Sequence, residues 1–390
     1  MDLTRVAILG STGSIGRATL SVIARHAERF EVVAVCAQSS VAEVATQVIE
    51  YGVPVAVIAD ASALSGVDDL PVADWRSGHA AVLEVVADDS VDVVVNAIVG
   101  SAGLQATLAT LRAGKRLALA NKESLVAGGP LVMEAARRGG GELIPIDSEH
   151  SAILQCLEGH DSGSVARLVL TASGGPFRGF ARRELEAVGP DDALRHPTWD
   201  MGEKITIDSA TLANKALEVI EAHFLYDIDY EKIEAIVHPQ SIVHSMVEFV
   251  DGSVLAQLGF PTMELPILYA LSHPRRVADA SLRTFDPIRS SPLTFEEIDR
   301  ERFGLFALGV EAGIRGGTGP AVFNAANETA VQAFLARDLR FVDMPDVVAH
   351  TLATVPNRNV ETVDDVLEAD AAARIVAREF VRSPRSLAGG

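Results

Sequence analysis

Along the first 147 residues the apolar positions fall in short unbroken runs rather than alternating with polar ones. The runs "RVAILG", "EVVAVCA", "VAVIAD", "VDVVVNAIVG", "RLALA" and "ELIPID" are rich in Val, Ile, Leu and Ala. Between most of them lie stretches with apolar residues at helical spacing, such as "RATLSVIARHA" and "LQATLATLRAG". Continuous apolar strands separated by amphipathic helices predict a parallel sheet covered on both faces. The chain therefore reads as an α/β protein. Its N-terminal domain, residues 1–147, is expected to be a doubly wound, Rossmann-like parallel sheet that binds a nucleotide.

After Asp147 the pattern changes. "VARLVLTAS" and "KIEAIVHP" read as strands, and "SMVEFVDGSVLAQLG" reads as a hairpin turning at Asp251-Gly252. Strands mixed with helices predict a central α+β catalytic domain over residues 148–272. Residues 273–295 are rich in Pro, Ser and Arg, lack periodicity and read as a linker. Residues 296–390 are helix-patterned, most clearly in "AVFNAANETAVQAFLA", and predict a C-terminal α-helical domain.

Composition narrows the function. With 390 residues, 48% hydrophobic and 22% charged, the chain has the means for a packed core in two or three domains. A formal net charge of -20 argues against a nucleic-acid partner, which wants a basic face. It leaves room for a small phosphorylated substrate in a local cationic pocket. Cys36 and Cys156 sit in apolar runs without metal or redox spacing, and read as core residues in a reducing compartment. The first strand-like run begins at Leu3, which leaves no space for a leader, and no apolar run approaches the ~20 residues of a membrane helix. A cytoplasmic protein with no membrane contact is expected.

"ILGSTGSIGRATL" places glycines at 10, 13 and 16 between the first strand and the first helix. Small residues turn the chain there, and the helix starts with its amides facing out, so a pyrophosphate can sit on that end. Thr12 and Ser14 add hydroxyl donors, and Ile15 begins the packing on the sheet. At the end of the second strand an NAD reader carries an acid and an NADP reader often carries Arg or Lys. This chain has Gln38, Ser39 and Ser40. No acid repels a 2′-phosphate, and hydroxyls and an amide are there to bind it, so NADP is the expected cofactor.

"IPIDSEHSAI" sets Asp147 and Glu149 two residues apart where a strand ends. Such residues point to one side, toward the crevice where these sheets bind ligands, and two acids there suit a hard divalent cation. The same residues also suit a helix start, with Asp147 or Ser148 as cap and Glu149 in the first turn. In "KITIDSATLANKALEVIEAHFLY", Asp208 and Ser209 read as helix-start residues. At ~100° per residue, Asn214, Lys215 and Glu218 fall within about 100° of arc, opposite Leu212, Ala216, Val219 and Ile220. A plain amphipathic helix with a solvated Lys-Glu pair has this pattern too. The chemical reading makes Glu218 a third oxygen ligand and gives a phosphate to Ser209, Asn214 and Lys215. "TASGGPFRG" offers Ser173 beside approachable amides. "HPTWDMGE" reads as a lid carrying His196, Trp199 and Met201. "LANKESLV" brings Asn121, Lys122 and Glu123 to the strand-end crevice, with Lys122 toward substrate oxygens. His238 and His244 of "HPQSIVHS" read by themselves as structural histidines.

These motifs occur together and in order, and nearly the whole chain resembles the 1-deoxy-D-xylulose 5-phosphate reductoisomerase family. The resemblance implies that Asp147, Glu149 and Glu218 bind Mg2+ or Mn2+. It implies that Ser148 contacts substrate hydroxyls, that Lys122, Asn214 and Lys215 bind substrate, and that Ser173, His196 and Ser209 surround its phosphate. Trp199 and Met201 would belong to a mobile flap, with His244 and Met263 lining the pocket. NADPH would meet Gly10, Thr12, Gly13, Ser14, Ile15, Gln38, Ser39, Ser40, Ala97, Ile98, Asn121, Lys122, Glu123 and Gly202. The implied reaction is rearrangement and reduction of 1-deoxy-D-xylulose 5-phosphate to 2-C-methyl-D-erythritol 4-phosphate, in non-mevalonate isoprenoid synthesis, by a three-domain homodimer. One departure stands out: the family often shows Gly, a basic or small residue, then Asn where this chain has Gln38, Ser39 and Ser40. Rival readings are a metal-dependent NADP dehydrogenase of another phosphorylated hydroxy-ketone, and a non-catalytic NADP sensor.

Overall fold

The computed structural model describes residues 3–199, 201–283 and 285–383. The chain forms two compact units. The first holds the residues up to Ser124, Val132–Ser151 and Thr262–Arg283. The second holds Leu125–Leu131, Ala152–Pro261 and the chain beyond Arg283.

The first unit is built on a seven-stranded sheet with all strands parallel. Its strands are β1 (Thr4–Leu9), β2 (Phe30–Ala37), β3 (Val55–Ile58), β4 (Asp74–Ser77), β5 (Val93–Asn96), β6 (Arg116–Leu119) and β7 (Leu143–Pro145). Their order is β4-β3-β2-β1-β5-β6-β7. Each of the six expected apolar runs is a strand, and β4, "DWRS", is a seventh. It lies at the sheet edge and leaves Asp74 and Ser77 exposed, so burial imposes no apolar run on it. The central strands are buried throughout Val6–Leu9 and Val93–Val95, as helices on both faces require. Strand order reverses between β1 and β5, and the crevice beyond the carboxyl ends at that point is where such sheets take ligands. The chain returns to this unit in the helix Glu264–Ser272. Arg25 of the helix Ser14–Arg25 binds Glu264 and Asp279 at 3.0 Å each, and His26 Nε2 lies 3.2 Å from Asp279.

The second unit holds a mixed five-stranded sheet ordered β11-β10-β8-β9-β12. Its strands are β8 (Val165–Ala172), β9 (Ile233–Val237), β10 (Val243–Phe249), β11 (Val254–Leu258) and β12 (Glu296–Glu297). The expected hairpin is β10-β11, and Gly252 takes φ +85 in its turn. Buried Leu168, Leu170 and Val247 of the sheet pack with Ile153 and Ala222 from two helices. The larger core joins the helix Ala213–Tyr226 to the C-terminal helices Gly304–Arg315, Gly319–Leu335 and Met344–Thr354. A Cβ on Gly309 would lie 2.6 Å from both Ala216 and the Phe323 ring, so the helix crossing there requires glycine.

One local expectation is corrected. Asp208 and Ser209 do not begin a helix; they lie in the last turns of the helix Glu203–Thr211. Gly202 is its N-cap, and the next helix begins after Leu212, held left-handed at φ +60 and buried. The Asp-Ser pair carries cap chemistry, but Asp208 is turned into the core instead.

Candidate active site

In the first unit the site begins where β1 stops. Gly10 has φ +75, and a Cβ on it would lie 2.5 Å from the Ala97 carbonyl oxygen beyond β5. A Cβ on Gly16 would lie 2.4 Å from the Gly10 carbonyl oxygen. The loop therefore closes only with glycine at both places. Gly13 caps the helix Ser14–Arg25 without a side-chain bond, and its first turn holds no acid. Its amides are left for an anion. Thr12 and Ile15 are half-buried at the rim, with Gly13 and Ser14 exposed. Gln38, Ser39 and Ser40 are exposed at the end of β2. Asn121 ties two strand ends together: its Nδ2 donates to the Ile98 and Gly100 carbonyls at 2.7 and 2.9 Å, and its Oδ1 caps the next helix at Ser124 N, 3.2 Å.

Lys122 opens that helix, Lys122–Gly139, with Glu123 buried next to it. The Lys122 ammonium donates to Asp147 Oδ2 at 2.8 Å, and the two side chains are 8% and 14% exposed. Asp147 follows β7, and its Oδ1 accepts from the Glu149 amide at 3.2 Å. The capping reading thus holds for one oxygen while the other meets the lysine. Ser148 Oγ donates to the Glu149 carboxylate. The two acids present ligand oxygens within 4.8 Å of each other, but not by strand alternation: β7 ends at Pro145, and Glu149 stands in the first turn of the helix Ser148–Leu157.

In the second unit a set of neutral donors converges. Ser173 follows β8, and the glycines after it take φ +84 and +67. A Cβ on Gly175 would lie 2.7 Å from the Ser209 carbonyl oxygen, so this glycine seats the Ser173 loop on the helix that carries Ser209. His196 Nε2 lies 3.0 Å from Ser173 Oγ and 3.1 Å from Ser209 Oγ. Its Nδ1 accepts from the amides of Thr198 and Trp199 at 3.1 and 2.9 Å. Two amides on Nδ1 leave the proton of the neutral ring on Nε2, between the two hydroxyls. Burial pulls the pKa of His196 down to about 4, so the ring is neutral near pH 7. Trp199 stands over His244 with ring centroids 6.4 Å apart, and Met201 is half-buried nearby in sequence.

The helix Ala213–Tyr226 carries Asn214, Lys215 and Glu218 on one arc, and both Asn214 Nδ2 and Lys215 Nζ donate to the Glu218 carboxylate. The side chains of Lys215 and Glu218 are 4% and 1% exposed. A solvated surface pair is therefore excluded: this is an acid held in the interior by two donors. His238 donates from Nδ1 to the Thr294 carbonyl at 2.8 Å, and its ring stacks on Phe295 with centroids 4.6 Å apart. Met263 lies in the first unit as the residue before the helix Glu264–Ser272. Sequence reading missed Asn327. Its Nδ2 donates to buried Asp208 Oδ1 at 2.7 Å, one residue from Ser209. Two asparagines inside the otherwise apolar "AVFNAANETAV" were the available signal.

Family models described as 1-deoxy-D-xylulose 5-phosphate reductoisomerase and its C-terminal domains match residues 6–129, 143–226 and 258–376. A 1-deoxy-D-xylulose 5-phosphate reductoisomerase of Paraburkholderia phytofirmans is 49% identical over 384 residues, 97% of this chain and 96% of that one. The chain belongs to the 1-deoxy-D-xylulose 5-phosphate reductoisomerase family. A reductoisomerase of Crocosphaera subtropica is 46% identical over 379 residues, 95% of each chain. The solved reductoisomerase from Zymomonas mobilis in complex with NADPH matches with a TM-score of 0.90 at 42% identity, covering 98% of this chain and 100% of that one. A reductoisomerase solved with NADPH, fosmidomycin and magnesium gives 0.90 at 38% identity, covering 97% and 98%. The doubly wound sheet and the α/β class read from the sequence are those of reductoisomerase structures.

Proposed function

We propose that this chain catalyses the NADPH- and divalent-metal-dependent conversion of 1-deoxy-D-xylulose 5-phosphate to 2-C-methyl-D-erythritol 4-phosphate in non-mevalonate isoprenoid synthesis. Relatives of 46–49% identity along almost the whole chain support the reaction. The observation that carries the site assignment is that two of the three acids named from the sequence, Asp147 and Glu218, are held in the fold by Lys122 and Lys215. Buried carboxylates need a positive partner, and such acids are suited to share a cation with the substrate present.

Asp147, Glu149 and Glu218 would hold a magnesium or manganese ion, which the all-oxygen donor set fits. Such an ion supplies Lewis-acid polarisation of the substrate's keto and neighbouring hydroxyl oxygens. The glycine loop and the amides of the helix Ser14–Arg25 fit the pyrophosphate of NADPH, which supplies the hydride. Ser148 orients the substrate's hydroxyls, and Lys122 lies beside Asp147 to bind its oxygens. Ser173, His196 and Ser209 hold the phosphate with neutral donors, while Asn214 and Lys215 close on it from their helix. Binding energy from this remote phosphate favours closure of the segment with Trp199 and Met201, which keeps water from the rearranged aldehyde before reduction.

The decisive experiment follows oxidation of NADPH with 1-deoxy-D-xylulose 5-phosphate, with and without Mg2+ or Mn2+, and identifies the carbon skeleton of the product by NMR. A branched product formed only with metal supports the proposal. A straight-chain product would establish the rival dehydrogenase, and no oxidation the sensor.

We also propose a homodimer. Strand β11 ends the second sheet, with Val254 and Leu255 53% and 40% exposed, an edge suited to a second copy. Light scattering at the mass of one chain would refute it. A cytoplasmic location is proposed as well. Among the described residues no helix is long and apolar enough to cross a membrane, and Cys36 and Cys156 are buried and form no disulfide.

A further inference from the structure

The NADPH reading leaves one charge unanswered. The 2′-phosphate brings close to two negative charges, and Gln38, Ser39 and Ser40 at the end of β2 offer it no cation. Arg17 lies nearby on another element. It sits in the first turn of the helix Ser14–Arg25, and its guanidinium donates to the Thr12 carbonyl of the glycine loop. The same nitrogen donates to Glu43 Oε1 at 3.0 Å. Glu43 stands in the first turn of the helix Val41–Tyr51, which begins directly after Ser40. Arg17 thus bridges the glycine loop and the corner beyond β2, the two segments that flank the adenosine ribose in a doubly wound sheet.

The Arg17 and Glu43 side chains are 59% and 42% exposed. An exposed pair of this kind is weak, so the guanidinium gives up little by turning to a phosphate. A phosphate accepts two of its N–H groups in parallel and carries twice the charge of a carboxylate. Ser40 is the N-cap of its helix and makes no side-chain capping bond, so its hydroxyl can join the same anion. Arg76 of β4, two strands further out, bonds Asp74 on its own strand at 2.8 Å and, unlike Arg17, bonds no atom of the glycine loop.

We propose that Arg17 reads the 2′-phosphate and sets the preference of this chain for NADPH over NADH, with Glu43 as the counter-ion that holds it at the loop between visits of the cofactor. This rests on the NADPH reading given above. The test is direct binding, without turnover. NADPH and NADH are titrated against the wild type and Arg17→Ala by nicotinamide fluorescence, with 2′,5′-ADP and 5′-ADP as competitors, at low and high salt. The wild type should prefer NADPH. Arg17→Ala should bind NADPH and 2′,5′-ADP roughly tenfold more weakly or worse, with NADH and 5′-ADP changed by less than about twofold. Salt should erode the wild-type preference and leave the variant's ratio flat. If the wild type prefers NADPH and Arg17→Ala keeps that ratio, Arg17 is not the reader although the NADPH reading stands. Gain of NADH affinity in the variant, with NADPH unchanged, would make Glu43 a ribose acceptor and overturn the proposal. A wild type that prefers NADH would overturn the cofactor reading itself.

Discussion

Replacing His196 separates its two jobs. The ring uses Nδ1 to hold the amides of Thr198 and Trp199, and Nε2 to join the hydroxyls of Ser173 and Ser209. In His196→Ala the hydroxyls can rotate to other partners, so the two amides carry most of the cost. At about 1 kcal/mol for each net hydrogen bond, the variant should lose roughly 2 kcal/mol of stability. It also lacks one neutral donor toward phosphate, which should raise KM for the phosphorylated substrate roughly tenfold while leaving the Kd of NADPH unchanged. His196→Asn splits these effects. Its Oδ1 falls where Nδ1 was and keeps the amide bonds, but nothing replaces the Nε2 proton. Stability should return to within about 0.5 kcal/mol of the wild type while KM stays raised. Urea unfolding and steady-state kinetics on the three proteins provide the check. A KM within about twofold of wild type in His196→Ala, or full recovery of KM in His196→Asn, would refute the phosphate role.

Glu149→Gln should abolish turnover and keep NADPH affinity; near-normal activity would rule it out as a ligand. Asn327→Leu removes the donor to Asp208 Oδ1, a side chain 1% exposed, and should cost about 1–3 kcal/mol, read as a lower urea midpoint at constant slope. An unchanged midpoint would contradict the pairing. Acid stability follows from His196. Its folded pKa is pulled down to about 4 against roughly 6.5 in the unfolded chain. Below pH 6.5 the unfolded chain takes up a proton that the folded ring refuses, so stability present above that pH is lost as pH falls toward 4. The loss should be smaller in His196→Asn, and an identical acid slope in both proteins would count against the assignment.

The parallel sheet was legible because strands buried on both faces must be apolar without interruption, as Val6–Leu9 and Val93–Val95 are. Strand β4 was not, since an edge strand tolerates Asp74 and Arg76. Asp147 and Glu149 could be found because they follow a strand that ends at the crevice, but the strand alternation expected to face them together does not apply: β7 stops at Pro145, and the start of the helix Ser148–Leu157 sets their directions. The environment of Lys215 and Glu218 could not: an i,i+3 pair looks the same in water as in the core, and only tertiary packing put them inside. The break at Leu212 left no mark in "TIDSATLANKALE", because burial of Leu212 rather than a turn residue holds its left-handed backbone. The return of residues 262–283 to the first unit rests on Arg25 bonding Glu264 and Asp279, more than 200 positions away, for which no local pattern exists.

The proposal gives Asp147, Glu149 and Glu218 one cation, and titration of Mn2+ followed by electron paramagnetic resonance tests it most directly. With NADPH and a phosphonate analogue of the substrate present, the wild type should take up one ion per chain, and Glu149→Gln and Glu218→Gln should each bind it at least about 100-fold more weakly. One ion bound by Glu218→Gln with wild-type affinity would contradict the shared site.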